Sequence, residues 1–372
     1  MRGTRWFCAI SAAAVVLAAC GSGSKSAATR ADDAPHAGTP AYAVRGPYQV
    51  GYTTLPLHNL KVAVWYPAGS TTGKTKASYD QRTVLPPNLA GLVPDKYNTV
   101  VPMDAYTDAP PSSAGPFPVL LFSHGFGASR LYNSAPLIGI ASWGNVVVST
   151  DYKDRDIVAQ VTGSKAKPDP KAEEQTMLST LDLVERQSAQ SGSVLHGLVN
   201  GKQVAVAGHS AGGTTAFDAL HDPRVSVAIG WAPVGPSGKP ADKPTMIIGA
   251  LGDIALTPKD LAKEYAASPS GTRFVEIADA GHNSFTDICS VIRSGGGLVS
   301  FAREQHLVSD SLLKLAVNGC DARHVDPAKF WPIAQHFTVA EMRSAFGIDK
   351  QPVGLGQAVT TKFPVAVQLR QK

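Results

Sequence analysis

The hydrophobic positions of this chain fall into short, dense runs separated by polar stretches that carry glycine and proline. From residue 118 onward the runs are PVLLFS, NVVVST (145–150), QVAVAG (203–208), VSVAIGW (225–231), TMIIGA (245–250) and RFVEIA (273–278). A strand with one wet face would alternate apolar and polar residues. Near-continuous apolar runs of this length fit strands buried on both faces. Between them lie stretches with helical spacing, near 130–142, 171–190, 211–220 and 258–267. In the second of these, Met177, Leu178, Leu181, Leu183 and Val184 form an imperfect apolar stripe. Alternating strands and helices predict an α/β protein with a mainly parallel, doubly wound sheet. Ahead of it, 48–55 and 60–66 are rich in β-branched and aromatic residues around His58-Asn59, which predicts an antiparallel N-terminal hairpin. Residues 68–116 are rich in proline, glycine, threonine and aspartate and read as a long irregular insertion. Helical stretches near 297–318 and 328–345 extend the core at its C-terminal end, and the last twenty residues show no clear pattern.

The first twenty residues, MRGTRWFCAISAAAVVLAAC, belong to a different class. Two arginines precede an apolar run at 6–19, which is shorter than the roughly 20 residues a membrane span needs. The run fits the core of a secretory signal, so 1–19 are expected to be a removed signal peptide. Leu17-Ala18-Ala19-Cys20 followed by Gly21 resembles a bacterial lipobox. That resemblance implies lipidation of Cys20 and a membrane partner reached through the N-terminal lipid, at the outer face of the cell membrane. Residues 20–44 are poor in large apolar side chains and read as a flexible tether. One domain is expected over 45–372. Loss of Arg2 and Arg5 lowers the formal charge from +5 to +3, and the remaining cations are scattered, which argues against a nucleic-acid partner. Of the four cysteines, Cys8 leaves with the signal and Cys20 carries the lipid. Cys289 and Cys320 remain, as a disulfide in an exported protein or as two buried thiols.

Candidate chemistry centres on Gly208-His209-Ser210-Ala211-Gly212, which joins a predicted strand to a predicted helix. This is the setting of a nucleophile elbow, a turn so tight that glycines must flank the serine. A serine hydroxyl needs a base, and in this arrangement acid and base follow in the order Ser, Asp, His. Asp253 lies just after TMIIGA and His282 just after RFVEIA, both at strand C-terminal ends, where open α/β sheets gather their functional residues. Asp279 and Asp287 are the other acids close to His282. The tetrahedral oxyanion of acyl transfer needs preorganised N–H donors. The backbone amides of Ala211 and Phe126, the latter in the Ser123-His124-Gly125-Phe126-Gly127 loop, are the expected pair. His209 reads as a turn or packing residue, and Trp231 as either an acyl-pocket wall or a core aromatic. The ten histidines show no metal-ligand spacing, so no metal is expected.

Val64-Trp65-Tyr66-Pro67, PVLLFSHGFGASR, Leu181-Asp182-Leu183-Val184, GHSAGG and Gly281-His282-Asn283-Ser284-Phe285-Thr286-Asp287 occur in that order. Together they resemble the platelet-activating-factor acetylhydrolase branch of the α/β-hydrolases, with chlorophyllase-like and polyester-hydrolase relatives, over residues 46–290. The resemblance implies the α/β-hydrolase fold and a cofactor-free, serine-dependent carboxylic ester hydrolase, often acting on short acyl groups. It places the triad on Ser210, Asp253 and His282 and the oxyanion donors on Phe126 and Ala211. A phospholipid or other small-molecule ester would be the substrate. An acyltransferase using the same residues and a non-catalytic surface binding protein are the competing readings. The lipobox, the 68–116 segment and the C-terminal extension depart from the family pattern.

Overall fold

The computed structural model describes residues 38–372. The expected signal peptide and Cys20 lie outside the described residues, as does the tether up to residue 37.

Strands β1 Gln49–Leu57, β2 Leu60–Ala68, β3 Lys76–Asp80, β4 Val100–Thr107, β5 Phe117–Ser123, β6 Val146–Thr150, β7 Val199–His209, β8 Val225–Trp231, β9 Thr245–Ala250, β10 Arg273–Ile277 and β11 Val367–Gln371 form one sheet. Their spatial order is β11-β10-β9-β8-β7-β5-β6-β2-β1-β4-β3. The central neighbours, from β6 through β5, β7, β8 and β9 to β10, all pair in parallel. The hairpin β1–β2 is antiparallel, and β2 joins β6 antiparallel. Every residue of β5, β6 and β9 is buried, as their continuous apolar runs require. Successive side chains alternate between two cores. Leu120 and Phe122 face one, Val119 and Leu121 the other.

The helices are α1 Pro87–Ala90, α2 Ser134–Ala141, α3 Ile157–Val161, α4 Pro170–Ala189, α5 Gly212–Ala219, α6 Pro258–Ala267, α7 Ile288–Arg293, α8 Gly297–Glu304, α9 Asp310–Val317 and α10 Pro327–Ala345. Helices α2 and α10 pack on the first face through Leu137, Ile138, Phe330, Ile333 and Phe337. The other face is covered by α4, α5 and α6, with Met177, Leu181, Val184, Phe217 and Leu261. Local signals set the boundaries. Asp169 caps α4 through the amides of Lys171 and Ala172, with Pro170 in its first turn. Thr257 and Asp260 close a reciprocal capping box on α6.

Four expectations are corrected. The 68–116 segment is not irregular throughout: β3 and β4 extend the sheet at its hairpin edge, β4 parallel to β1 and antiparallel to β3. Val101, Met103 and Ala105 of β4 point inward at every second position, and Pro102 sits between them near the sheet edge. The tether does not run to residue 44. Tyr42 is buried, its amide donates to Nδ1 of His336, and Gln335 donates to the Tyr42 and Val44 carbonyls. The buried ring and these backbone bonds together dock the segment on α10. The helix expected from residue 130 starts at Ser134; the residues before it form turns, where the Arg130 amide and guanidinium bond Asp151 at 2.9 and 2.6 Å. The stretch at 297–318 is two helices, separated where His306 takes a positive φ and Ser309 caps α9. The unpatterned C-terminus ends in β11, antiparallel to β10, with Val367 and Leu369 buried.

Candidate active site

Ser210 stands at the sharp turn between β7 and α5 with φ +55°. A non-glycine residue in this conformation costs roughly 1–3 kcal/mol and persists only where its surroundings hold it. Here the Ser210 amide donates to the Trp231 carbonyl, and its own carbonyl accepts from Gly213 and Val234, each at 2.9 Å. Two flanking glycines make the turn possible. A Cβ on Gly208 would lie 1.9 Å from the Gly212 carbonyl oxygen, and one on Gly212 would lie 2.1 Å from that of Ser123.

His282 follows β10 and meets Ser210 from the neighbouring loop. Its Nε2 is 2.9 Å from Ser210 Oγ, and its Nδ1 is 2.8 Å from Asp253 Oδ2. Asp253 follows β9, and its other oxygen, Oδ1, accepts from the amides of Ala255 and Leu256 at 2.7 and 2.9 Å. The carboxylate is therefore fixed on both sides. All three side chains are buried, with Ser210 the most accessible at 9%. Residues separated by 72 and 29 positions in the chain thus form one hydrogen-bonded line from hydroxyl to imidazole to carboxylate.

The loop after β5 abuts the serine: a Cβ on Gly125 would come within 3.2 Å of Ser210 Cβ. The backbone amides of Phe126 and Ala211 find no acceptor among the described residues. What holds this loop was not legible beforehand. Arg155 is 1% exposed and its guanidinium bonds the His124 carbonyl, Ser123 Oγ at 2.6 Å and Glu173 Oε1 at 2.7 Å. Glu173 lies on α4 and also accepts from Thr215 of α5 at 2.8 Å. The Arg155 carbonyl in turn accepts from Gly127. One buried ion pair therefore ties the loop to the helix that follows the elbow. In the sequence, neither Arg155 nor Glu173 belongs to a motif that marks it out.

The neighbouring histidines are neutral. Burial, and then the nearby Arg155 charge, holds His124 well below the usual imidazole range. Its Nε2 accepts from the Tyr152 amide, so the proton sits on Nδ1, facing the Gly125 carbonyl. Burial and then the proximity of His282 lower His209 likewise. His209 Nε2–H donates to the His282 carbonyl at 2.9 Å, so this residue packs under the site and steadies the His282 backbone. Trp231 is fully buried, donates to Thr338 Oγ1 and packs against Phe122 and Phe285, which makes it a core aromatic. Of the two other acids near His282, Asp279 is exposed. Asp287 points away from the imidazole, accepting from Ser134 Oγ and the Ala135 amide at the start of α2, and burial pushes its carboxyl up to about 7. Cys289 and Cys320 are joined in a disulfide that ties α7 to the turn after α9.

Two family models match the chain over overlapping stretches. The platelet-activating factor acetylhydrolase isoform II model covers residues 36–193, and the PET hydrolase-like model covers residues 133–296. Phe126 falls in the first stretch; Ser210, Asp253 and His282 fall in the second. No curated protein sequence matches. Among solved structures, the chain is similar to a ferulic acid esterase from Streptomyces cinnamoneus, with a TM-score of 0.57 and 21% identity over 81% of this chain and 91% of that one. That structure supports the fold, and the two family matches support the class of reaction. The chain thus has the α/β-hydrolase fold, stretches of it are similar to the platelet-activating factor acetylhydrolase isoform II and PET hydrolase-like families, and these matches support a carboxylic ester hydrolase.

Proposed function

We propose that the protein cleaves esters through a serine-bound acyl-enzyme, with Ser210 as nucleophile, His282 as base and Asp253 as the acid that orients it. The observation that carries this reading is the continuous line from Asp253 Oδ2 through His282 to Ser210 Oγ, at 2.8 and 2.9 Å, on a strained turn. His282 Nε2 takes the Ser210 proton as Oγ attacks the ester carbonyl. Asp253 keeps the other imidazole proton on Nδ1 and stabilises the imidazolium. The Nε2 proton then passes to the departing alkoxide, leaving the acyl group on Oγ. Water, deprotonated by the same nitrogen, releases the acid and restores the serine. The free amides of Phe126 and Ala211 are the proposed donors to the oxyanion, each worth roughly 3–4 kcal/mol in such sites.

Phe126, Val234 and Ile254 are exposed apolar side chains, each within a few residues of a proposed site residue or bonded to Ser210 through its backbone. An apolar rim suits an ester with an apolar acyl or alcohol part, such as a phospholipid or a short-chain acyl ester. The protein is further proposed to act at the outer face of the cell membrane, held there by a lipid on Cys20. Incorporation of labelled fatty acid that disappears in Cys20→Ser would support the anchor.

The test of the reaction is hydrolysis of a p-nitrophenyl ester series, acetate to palmitate, by the soluble form lacking residues 1–20. Activity and fluorophosphonate labelling are expected in this form and not in Ser210→Ala. A folded protein that neither hydrolyses any member nor takes the label would overturn the serine mechanism.

A further inference from the structure

The acid and the base sit on separate loops, after β9 and after β10. A relay accurate to a few tenths of an ångström requires that the two loops keep a fixed spacing. One side chain outside both loops touches each of them. Asn318 follows α9 and is 7% exposed. Its Oδ1 accepts from the His282 amide at 2.8 Å and from the Ile254 amide at 3.3 Å. Its Nδ2 donates to the Gly252 carbonyl at 3.0 Å. A single carboxamide thus bonds the residue before Asp253, the residue after it, and His282 itself. The Asn318 carbonyl also accepts from Asn283 at 2.8 Å.

The segment that carries Asn318 is fastened from several directions. Asn283 donates to the last carbonyls of α9, Leu315 and Ala316, at 2.8 and 3.2 Å. Gly319 has φ +95°, and a Cβ there would lie 2.8 Å from the Ser284 backbone nitrogen and 2.9 Å from the Gly281 carbonyl carbon, so the two backbones meet at a spacing only glycine permits. Arg293, at the end of α7, bonds the carbonyls of Cys320, Asp321, His324 and Val325 between 2.8 and 3.1 Å. The Cys289–Cys320 bridge closes the same junction two residues from Asn318.

Resting on the triad proposed above, we infer that Asn318 is a positioning residue for the reaction, setting the distance between the Asp253 loop and the His282 backbone from the C-terminal extension. An alanine there removes the partner of three backbone groups, the His282 and Ile254 amides and the Gly252 carbonyl, all of them on the two loops whose spacing matters. Misplacement of about 1 Å at a catalytic centre is enough to lower a rate by about a hundredfold.

The experiment compares wild type, Asn318→Ala and Asn318→Asp on p-nitrophenyl acetate, with rates normalised to sites titrated by a fluorophosphonate. The expected result for Asn318→Ala is a fall in kcat of about tenfold to a hundredfold with KM changed by less than about threefold, since the relay is disturbed and not the substrate surface. Asn318→Asp keeps an oxygen for the His282 and Ile254 amides, and its kcat per titrated site is expected to lie between wild type and alanine. It also serves if the alanine variant does not fold. Wild-type kcat in a folded Asn318→Ala, or in Asn318→Asp should the alanine variant be insoluble, would overturn the assignment even with a lowered melting temperature, because a purely structural role moves stability and not turnover per site. A wild-type protein that neither hydrolyses the ester nor takes the label would instead bring down the triad, and this inference with it.

Discussion

Replacing Asp253 by asparagine tests the acid of the relay, and its consequence follows from which atoms the carboxylate faces. Oδ1 accepts from the Ala255 and Leu256 amides at 2.7 and 2.9 Å, and Oδ2 faces His282 Nδ1 at 2.8 Å. An asparagine carboxamide can present its oxygen to only one of these sides. Turning its NH2 toward the two amides would leave two partly buried N–H groups unpaired at ~1–3 kcal/mol each, so roughly 2–6 kcal/mol holds the oxygen there. The NH2 then points at His282 Nδ1, which must act as acceptor. The imidazole proton moves to Nε2, where it blocks proton transfer from Ser210. That balance leaves about 1 in 30 to about 1 in 10⁴ of the molecules in the active tautomer, and the missing charge no longer stabilises the imidazolium. We expect kcat to fall by about 10⁴, equivalent to ~5 kcal/mol of barrier. The assay is steady-state hydrolysis of p-nitrophenyl acetate at neutral pH, beside Asp279→Asn and Asp287→Asn, which should stay within about threefold of wild type if neither contacts the imidazole. An Asp253→Asn enzyme within tenfold of wild type would refute the reasoning, and a large loss in Asp287→Asn alone would move the acid there.

The remaining predictions concern what holds the site in place. Arg155→Met strips the partner from the Glu173 carboxylate and should cost ~3–5 kcal/mol in urea unfolding, with Arg155→Met/Glu173→Gln recovering part of it; equal stability of single and double variants would show that the pair is not coupled. Asp287 holds its proton more tightly folded than unfolded, so its contribution to stability is full below its unfolded pKa of about 4 and is lost as pH rises toward about 7. The wild-type stability advantage over Asp287→Asn should therefore be larger at pH 5 than at pH 8, and a difference independent of pH would refute the shift. Removing the bridge as Cys289→Ser/Cys320→Ser, with a sequence separation of 31, should cost about 3–4 kcal/mol by the loop-entropy relation, measured by urea unfolding against the oxidised protein.

The parallel centre of the sheet was legible because each strand carries its own signal. PVLLFS, NVVVST and TMIIGA are apolar throughout, and only burial on both faces accounts for that. Helix α6 lies where helical spacing placed it, near 258–267, and in the structure Pro258 and the Thr257–Asp260 capping box, both local chemistry, fix its start. The elbow was equally local: strand, two glycines, serine and helix lie in one short stretch. Strands β3 and β4 were hidden by the prolines and aspartates around them, because their pairing is with residues some twenty positions away and their inward alternation is short. Strand β11 is held by β10, nearly a hundred residues upstream.

By itself, then, the sequence determined the order of the central strands and the helices between them, the turn that strains Ser210, and which aspartate and histidine stand at strand ends. These depend on side-chain periodicity and on backbone sterics, which act over a few residues. Only the tertiary structure decided that Asp253 and not Asp287 faces the imidazole, that Trp231 belongs to the core, that Tyr42 pins the N-terminal segment, and that Arg155 and Asn318 lie under the site. Each of those depends on a hydrogen bond or packing contact between residues far apart in the chain. Charge and polarity say that such a residue needs a partner, but only the folded geometry says which partner lies within reach.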